Sequence, residues 1–342
     1  PRVYASNIVG PSCALKKTQP KKSRRPMRLK VLALGLLMFV FGCGKKQEID
    51  CIVGNQEVII GGETGQELSS TQVFRKNNGT EPGTLDPHRA EGVPASNVLR
   101  DLFEGLVMED PSGRYIPGAA ESWTLSEDAK TYVFTMRENG KWSNGDDVTA
   151  DDFVYGLRRS VDPSTLSNYS SMLYPIKNAR DIVLGIKGPE TLGVRSEGPK
   201  TLIIELEEPT PYFLSLLTHS TTYAAHRPTV EKFGAQFTRP GNLVGNGAFR
   251  LEEWRVQSHI KLARNTEYWD NKNTNLEEVY YYPLDDTNSS FKRYRAQELD
   301  FTETVLAEQL PWIRQCLPND LKISPYFGSY YYGFNNTQPP FI

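Results

Sequence analysis

Histidines are the residues of this chain whose chemistry could most readily support hydrolysis or metal binding. The four histidines are His88, His219, His226 and His259. They are scattered, and none stands in an HExxH pattern or at the helical spacing of paired zinc ligands. The sequence also lacks the GxSxG, GxxxxGKS/T and GxGxxG patterns that present a nucleophile, a phosphate loop or a dinucleotide loop. No metal or nucleotide cofactor is therefore predicted, and a hydrolase has no support, although hydrolysis stays an alternative to binding.

Carboxylates are plentiful, but their arrangement gives no better evidence of catalysis. The acidic pairs are Asp151/Asp152, Glu207/Glu208 and Asp285/Asp286. Each pair is adjacent in sequence, which is typical of solvated surface and of helix caps. We interpret them as structural rather than catalytic.

The cysteines exclude a disulfide framework and a zinc site. Cys13, Cys43, Cys51 and Cys316 stand far apart, with no CxxC or Cys/His zinc spacing. Cys51 and Cys316 could pair with each other, but nothing in the sequence requires it.

Helical and strand patterns alternate along the body of the chain, which predicts an α/β or α+β fold. Ser96 is a candidate N-cap for an apolar stripe that runs to Leu106. Thr149 and Asp152 form a capping-box pattern ahead of a second helix. Further short helices are predicted at 212–217, 291–296 and 312–317. Strands are predicted at 132–136, 201–206, 249–254, 260–264 and 279–283, and a strand carrying Tyr330, Tyr331 and Tyr332 should leave at least one tyrosine accessible.

Composition and charge narrow the class of protein. The chain has 342 residues, 38% of them hydrophobic and 11% aromatic, which excludes a disordered chain, a collagen and a polytopic membrane protein. Its length predicts about two domains. Residues 1–47 carry eleven Lys and Arg and no acid, so the remainder holds 28 basic against 41 acidic side chains. This acidic body argues against nucleic acid as a partner.

The amino-terminal segment has the pattern of an export signal. Residues 1–26 are basic and lack an apolar period, so we interpret them as a non-native or mis-called leader. From Met27 a basic start precedes the apolar run from Val31 to Phe41. Eleven helical residues rise only about 16 Å, too short for a bilayer core of about 30 Å. Residues 27–43 are therefore predicted to be a signal peptide, and 44–71 a flexible tether.

The end of this signal resembles the lipobox of bacterial lipoproteins. Gly42 directly precedes Cys43, as a small residue precedes the lipidated cysteine in that family, whereas Phe41 replaces a residue that is usually small. The resemblance implies that Cys43 bears the lipid that anchors the protein to the membrane. The alternative is an ordinary secretory signal that is cleaved near Cys43.

Several short sequence motifs, which follow one another in a fixed order along the body of the chain, together resemble those of a known protein family. They are Asn78-Gly-Thr-Glu-Pro-Gly-Thr-Leu-Asp-Pro-His88, Glu91-Gly-Val-Pro, Leu102-Phe-Glu-Gly-Leu106, Pro117-Gly-Ala-Ala-Glu-Ser-Trp123, Lys141-Trp-Ser-Asn-Gly145, Val148 to Tyr155, Arg264-Asn, Tyr268-Trp-Asp270 and Tyr330-Tyr-Tyr332. From about Gln72 to Phe341 the chain resembles the oligopeptide-binding proteins, the extracytoplasmic binding components of peptide ABC importers.

The resemblance implies the fold and the function. The fold would be type II periplasmic-binding-protein-like, with two mixed α/β lobes that close on an extended peptide. The protein would be a monomer in the periplasm or cell envelope that binds oligopeptides without catalysis and delivers them to an inner-membrane ABC permease complex. Alternatives on the same fold are a binder of dipeptides, cell-wall peptides or nickel chelates, or a truncated remnant without a transport role.

Five ligand-binding residues are implied by the same resemblance: Glu91, Val93, Arg100, Tyr169 and Tyr331. Glu91 and Val93 would lie in a loop beside the ligand, with Glu91 as a pocket carboxylate. Arg100 would lie at the start of the following helix as an orienting cation. Tyr169 would form an aromatic wall, and Tyr331 would do the same on a strand that crosses between lobes. From the residues alone, the structural explanations are favoured: loop solvation for Glu91, a surface ion pair for Arg100, and packing for Tyr169 and Tyr331.

Two departures from the family follow Tyr332. Gly333 stands where relatives commonly carry an acidic residue, so specificity is expected to differ. The family's remaining lobe, with the aspartate that holds the peptide amino terminus, would lie beyond Ile342. We therefore expect the second ligand-binding lobe to be truncated and this chain to bind peptide weakly or not at all. The predicted domains are 72–103 with 230–327 (domain I), 104–229 (domain II) and 328–342 (the start of domain III).

Overall fold

The computed structural model describes residues 51–53, 56–57, 69–323 and 331–341. The predicted leader, signal peptide and Cys43 lie outside these ranges. The strands are β1 (Ile52–Val53), β2 (Gln56–Glu57), β3 (Val73–Asn77), β4 (Val107–Glu109), β5 (Tyr115–Pro117), β6 (Ala120–Leu125), β7 (Thr131–Met136), β8 (Val194–Ser196), β9 (Thr201–Glu205), β10 (Phe249–Arg255), β11 (His259–Arg264) and β12 (Glu278–Tyr282). The α-helices are α1 (Gly92–Leu102), α2 (Ala150–Val161), α3 (Ala179–Val183), α4 (Phe213–Leu216), α5 (Arg227–Phe233), α6 (Thr287–Arg295) and α7 (Leu310–Cys316).

Two four-stranded sheets form the body. The first has the order β10-β11-β12-β3, in which β3 runs parallel to β12 and the other pairs are antiparallel. The second has the order β6-β7-β9-β8 and is antiparallel throughout. Helix α1 packs on the first sheet and α2 on the second. The fold is thus mixed α/β, as the sequence predicts.

Local patterns explain most of these elements. Tyr132, Phe134 and Met136 alternate along β7 and are buried, because successive residues of a strand point to opposite faces. Helix α2 begins with the predicted capping box, in which Asp152 Oδ2 accepts hydrogen bonds from both the backbone N and the hydroxyl of Thr149.

Helix α1 begins five residues earlier than predicted. Its N-cap is Glu91 rather than Ser96, and Pro94 lies in its first turn. Proline is tolerated there because the first backbone N–H groups of a helix have no intrahelical partner. The predicted strand at Tyr331 and Tyr332 is also wrong, since both residues lie in irregular backbone.

One hydrophobic core runs through both sheets and both long helices. A small second cluster, which we call the α7 corner, contains Phe291, Ile313, Cys316 and Leu317. Cys51 forms a disulfide with Cys316 across a Cα–Cα distance of 5.2 Å, so the pairing that the sequence left open is present. The segment predicted as a flexible tether is thus attached to the body at Cys51. The division into domains I, II and III stays a prediction.

We call each four-stranded sheet, with the helix and loops packed on it, a sheet unit. Two buried polar junctions connect the two sheet units. In the Arg159 junction, Arg159 on α2 makes two hydrogen bonds to Asp86, at 2.8 and 2.7 Å, and a third to His88 Nδ1 at 2.8 Å. His88 Nε2 contacts the Tyr223 carbonyl at 2.9 Å. Gly156 on α2 allows the Tyr223 backbone to lie close to this helix, because a Cβ at position 156 would lie only 2.4 Å from the Tyr223 carbonyl oxygen.

The Glu104 junction lies just after α1. The buried Glu104 carboxylate accepts hydrogen bonds from the Tyr268 hydroxyl at 2.5 Å and from Trp269 Nε1 at 2.8 Å. Arg137, which follows β7, stacks on the Trp269 ring with 3.4 Å between the guanidinium carbon and the ring centre. The backbone of Glu104 also exchanges two hydrogen bonds with the Asn246 side chain. The Glu104 junction therefore fixes the chain that leaves α1 against Tyr268 and Trp269.

Candidate functional site

Helix α1 presents one polar side away from the core. Ala95, Val98, Leu99 and Leu102 are buried. Val93, Asn97 and Arg100 follow the spacing i, i+4, i+7, so they lie along one line on the opposite side. Val93 is 51% exposed, Arg100 is exposed and Asn97 is half-buried. We call these three residues the α1 face.

A histidine and a tyrosine from the second sheet unit border the α1 face. The 3-10 turn Ser220–Thr222 packs against α1, and its N-cap is His219. The Tyr169 and His219 rings meet edge to face, with 5.0 Å between their centres. Burial, together with the nearby charge of Arg100, lowers the pKa of His219. The neutral imidazole is therefore favoured beside Arg100.

Hydrogen bonding fixes which nitrogen of His219 carries the proton. The backbone N–H of Thr221 donates to His219 Nδ1 at 3.2 Å, so Nδ1 is the acceptor. The neutral ring must then carry its proton on Nε2. Within the described residues no hydrogen bond to Nε2 is present.

A polar layer formed by Asp101, Tyr281 and Lys76 lies where α1 meets the first sheet. Asp101 accepts a hydrogen bond of 2.5 Å from the Tyr281 hydroxyl. Lys76 on β3 is buried with Nζ over the Tyr281 and Phe301 rings, at 5.7 and 5.2 Å. Burial lowers the pKa of Lys76 and raises that of Asp101. These residues attach α1 to the first sheet.

A half-buried carboxylate completes the border of the α1 face. Asn97 Nδ2 donates to Asn78 Oδ1 at 3.1 Å and contacts Glu303 Oε2 at 3.4 Å. No Lys, Arg or His in the described part of the chain forms an ion pair with Glu303. The α1 face thus offers a cation at Arg100 and an amide at Asn97, and its border adds a neutral donor at His219 and an acceptor at Glu303. Such a set suits an uncharged or zwitterionic ligand with alternating donors and acceptors.

Three of the five predicted site residues lie at or on α1, and a fourth, Tyr169, lies beside the turn that packs against this helix. Glu91 and Val93 lie at the N-cap and in the first turn of α1, not in a loop, because the helix begins earlier than predicted. Arg100 lies in the last turn of that helix rather than at its start. Tyr169 contacts His219, whose pKa is affected by the nearby charge of Arg100. Tyr331 is 82% exposed, and no described contact joins it to the α1 face.

Sequence reasoning missed Asn97, His219 and Glu303. The spacing from Val93 to Arg100 could have indicated Asn97, since i+4 falls on the same side of the helix. His219 and Glu303 come from chain segments more than a hundred residues away. No local pattern signals their approach.

Comparison with known proteins shows which family the chain resembles in sequence. Residues 114–342 match the sequence profile of the bacterial extracellular solute-binding proteins, family 5 Middle. The chain is 43% identical over 280 residues to the periplasmic oligopeptide-binding protein OppA of Salmonella typhimurium, covering 81% of this chain and 51% of the relative. It is 38% identical over 279 residues to the periplasmic murein peptide-binding protein MppA of Escherichia coli, covering 81% and 52%.

A solved relative shares the fold as well. The crystal structure of Haemophilus influenzae OppA in complex with RPPGFSPFR superposes with a TM-score of 0.78 and 40% identity, covering 80% of this chain and 54% of that one. The fold is therefore type II periplasmic-binding-protein-like. The chain spans about half the length of the curated relatives it matches. It belongs to the bacterial extracellular solute-binding proteins of family 5.

Proposed function

We propose that the protein binds oligopeptides outside the cytoplasm through the α1 face and delivers them, chemically unchanged, to an ABC permease. The observation that carries the proposal is that Asn97 and Arg100 share one side of α1, where Asn97 contacts Glu303 and the turn that follows His219 packs against the helix. An extended peptide exposes main-chain N–H and C=O groups, which such a mixed set of donors and acceptors can bind whatever the side chains are. Its relatives include an oligopeptide-binding and a murein peptide-binding protein, which supports peptides as the ligand class.

The individual roles follow from the geometry. Arg100 supplies a cation for a carboxylate or carbonyl, and the His219 Nε2–H supplies a neutral donor. Tyr169 forms the aromatic wall, Val93 an apolar contact, and Glu91 a solvated carboxylate at the edge. Tyr331 is also proposed to contact the peptide. To do so, it would have to be drawn toward the α1 face by the peptide or by another segment of the chain.

Cellular placement forms a second part of the proposal. Relatives are periplasmic, and a disulfide between Cys51 and Cys316 persists most readily in an oxidising compartment such as the periplasm. We propose an exported monomer that is anchored by lipid at Cys43. Mass spectrometry of the amino-terminal peptide from the membrane fraction would identify that lipid.

Titration of the 15N-labelled chain with tri- and tetra-alanine tests peptide binding. We expect saturable shifts at the Val93 and Asn97 amides and at the His219 ring, even where the affinity is weak. Arg100→Ala should weaken those shifts, whereas Arg180→Ala, at an exposed arginine on α3, should not. The peptides recovered afterwards should be intact by mass spectrometry. Cleaved peptide, or shifts confined to residues away from the α1 face, would contradict the proposal.

A further inference from the structure

The disulfide has a second geometric consequence. Cys316 is fully buried at the α7 corner, so its partner Cys51 is fixed against that part of the body. Among the described residues that follow Cys51 and the β1–β2 pair, the next one with a backbone hydrogen bond to the body is Gln72, whose carbonyl accepts from the Glu277 and Glu278 backbone N–H groups at 2.8 and 3.2 Å.

The position of the disulfide sets the length of chain between Cys43 and the body. Cys51 follows Cys43 by eight residues, which reach at most about 29 Å when fully extended. Gln72 follows Cys43 by 29 residues, which could reach about 100 Å. A folded body of about 270 residues is roughly 45–50 Å across. Only the connection from Cys43 to Cys51 is shorter than the width of the body.

We propose that the Cys51–Cys316 disulfide holds the α7 corner against the surface of the lipid bilayer, so that the body stands on the membrane in one orientation. The inference rests on the proposed lipid anchor at Cys43. With a connection shorter than the width of the body, the α7 corner cannot turn away from the bilayer. Reduction of the disulfide would lengthen the connection more than threefold and release that restriction.

Fluorescence quenching by the membrane tests this orientation. The full chain would carry a fluorescent noncanonical residue either at Gln315, exposed on α7, or at Ile186, exposed just after α3 in the second sheet unit. The lipidated protein would be bound to vesicles that contain a head-group spin-labelled phospholipid. We expect stronger quenching at 315 than at 186, and loss of that difference in the Cys51→Ser/Cys316→Ser double variant.

Two controls separate the possible failures. A reducing agent added to the unsubstituted protein should abolish the difference as the double variant does, and near-ultraviolet circular dichroism should confirm that the body stays folded. Cys43→Ser should release the protein from vesicles. If the unsubstituted protein does not float with vesicles, the lipid anchor is wrong and the inference falls with it. If it floats but positions 315 and 186 are quenched equally, or the difference survives reduction, the orientation inference alone is wrong.

Discussion

The Arg159 and Glu104 junctions are similarly buried, yet they handle charge in opposite ways. In the first, a carboxylate meets a guanidinium, and the histidine beside them is forced to be neutral. In the second, a carboxylate meets only the neutral donors of Tyr268 and Trp269, with Arg137 stacked on the Trp269 ring. Burial therefore has different consequences: the Asp86 pKa falls because Arg159 compensates desolvation, whereas the Glu104 pKa rises to about 7.

Hydrogen bonding explains why His88 stays neutral. The Tyr223 carbonyl can only accept, so His88 Nε2 must carry the proton, and Nδ1 must accept from Arg159. A second proton on Nδ1 would face the guanidinium. Burial, reinforced by the Arg159 charge, lowers the pKa of His88 to about 4. The two junctions should thus lose stability at opposite ends of the pH range.

Removing the cation of the first junction should have the largest effect. Arg159→Met leaves the Asp86 carboxylate buried without its partner, which typically costs about 3–5 kcal/mol of unfolding free energy. Urea unfolding at pH 7 measures it. Asp86→Asn in the same chain should restore part of the loss, because the unpaired charge is then gone. Arg227→Met is the matched control, since that arginine pairs with Glu231 on the exposed side of α5 and should change little. A small effect of Arg159→Met would show that water compensates Asp86.

Acid should weaken the Arg159 junction through His88. The folded pKa of about 4 lies below the ordinary 6.5, so the unfolded chain binds more protons between these values. Stability conferred by the neutral ring is therefore present above pH 6.5 and is lost as pH falls toward 4, by about 3 kcal/mol. His88→Gln, which can still donate to the Tyr223 carbonyl, should remove that pH dependence. An unchanged slope between pH 7 and 4 in the variant would rule His88 out as its source.

Alkali should weaken the Glu104 junction. The folded pKa of about 7 exceeds the ordinary 4.5, so the folded protein binds more protons between these values. The contribution of Glu104 is fully present below pH 4.5 and declines as pH rises through 7, with a loss of about 1 kcal/mol between pH 6 and 8. Glu104→Gln should flatten stability over that interval. If both proteins show the same slope there, another group is responsible.

Local patterns predicted β7 and β9 of the second sheet, β10, β11 and β12 of the first, and both long helices, whereas β3, β6 and β8 were not predicted. The alternation in β7 and the capping box of α2 predict those elements because neighbours in sequence determine them. The start of α1 was missed because Pro94 reads as a break, although a proline in the first turn lacks no hydrogen bond. The strand carrying Tyr331 was expected from the row of tyrosines, but Tyr331 and Tyr332 lie in irregular backbone, and Tyr330 lies outside the described residues.

The long-range contacts at both junctions and at the site could not be predicted from the sequence. The landmarks Asp86-Pro-His88, Leu102-Phe-Glu104 and Tyr268-Trp269 were visible, but nothing local shows that Glu104 meets Tyr268 or that His88 meets Arg159. The Cys51–Cys316 pair, separated by 265 residues, was left open for the same reason. No sequence pattern marks His219, because its approach to Arg100 depends on the packing of the second sheet unit against α1.

Removing one donor from the Glu104 junction should give the smallest effect and the sharpest comparison of the two junctions. Tyr268→Phe deletes the 2.5 Å hydrogen bond to Glu104 and leaves that of Trp269, so we expect a loss of about 1 kcal/mol. Because the ionised carboxylate loses a donor, the Glu104 pKa should rise further, which carbon-13 NMR of a carboxyl-labelled chain measures directly. Tyr280→Phe, whose hydroxyl contacts Glu278 at 3.2 Å on the outer side of the first sheet, is the control and should leave the Glu104 titration unchanged. A Glu104 pKa that stays near 7 in Tyr268→Phe would mean that desolvation alone sets it and that the tyrosine serves only to pack the junction.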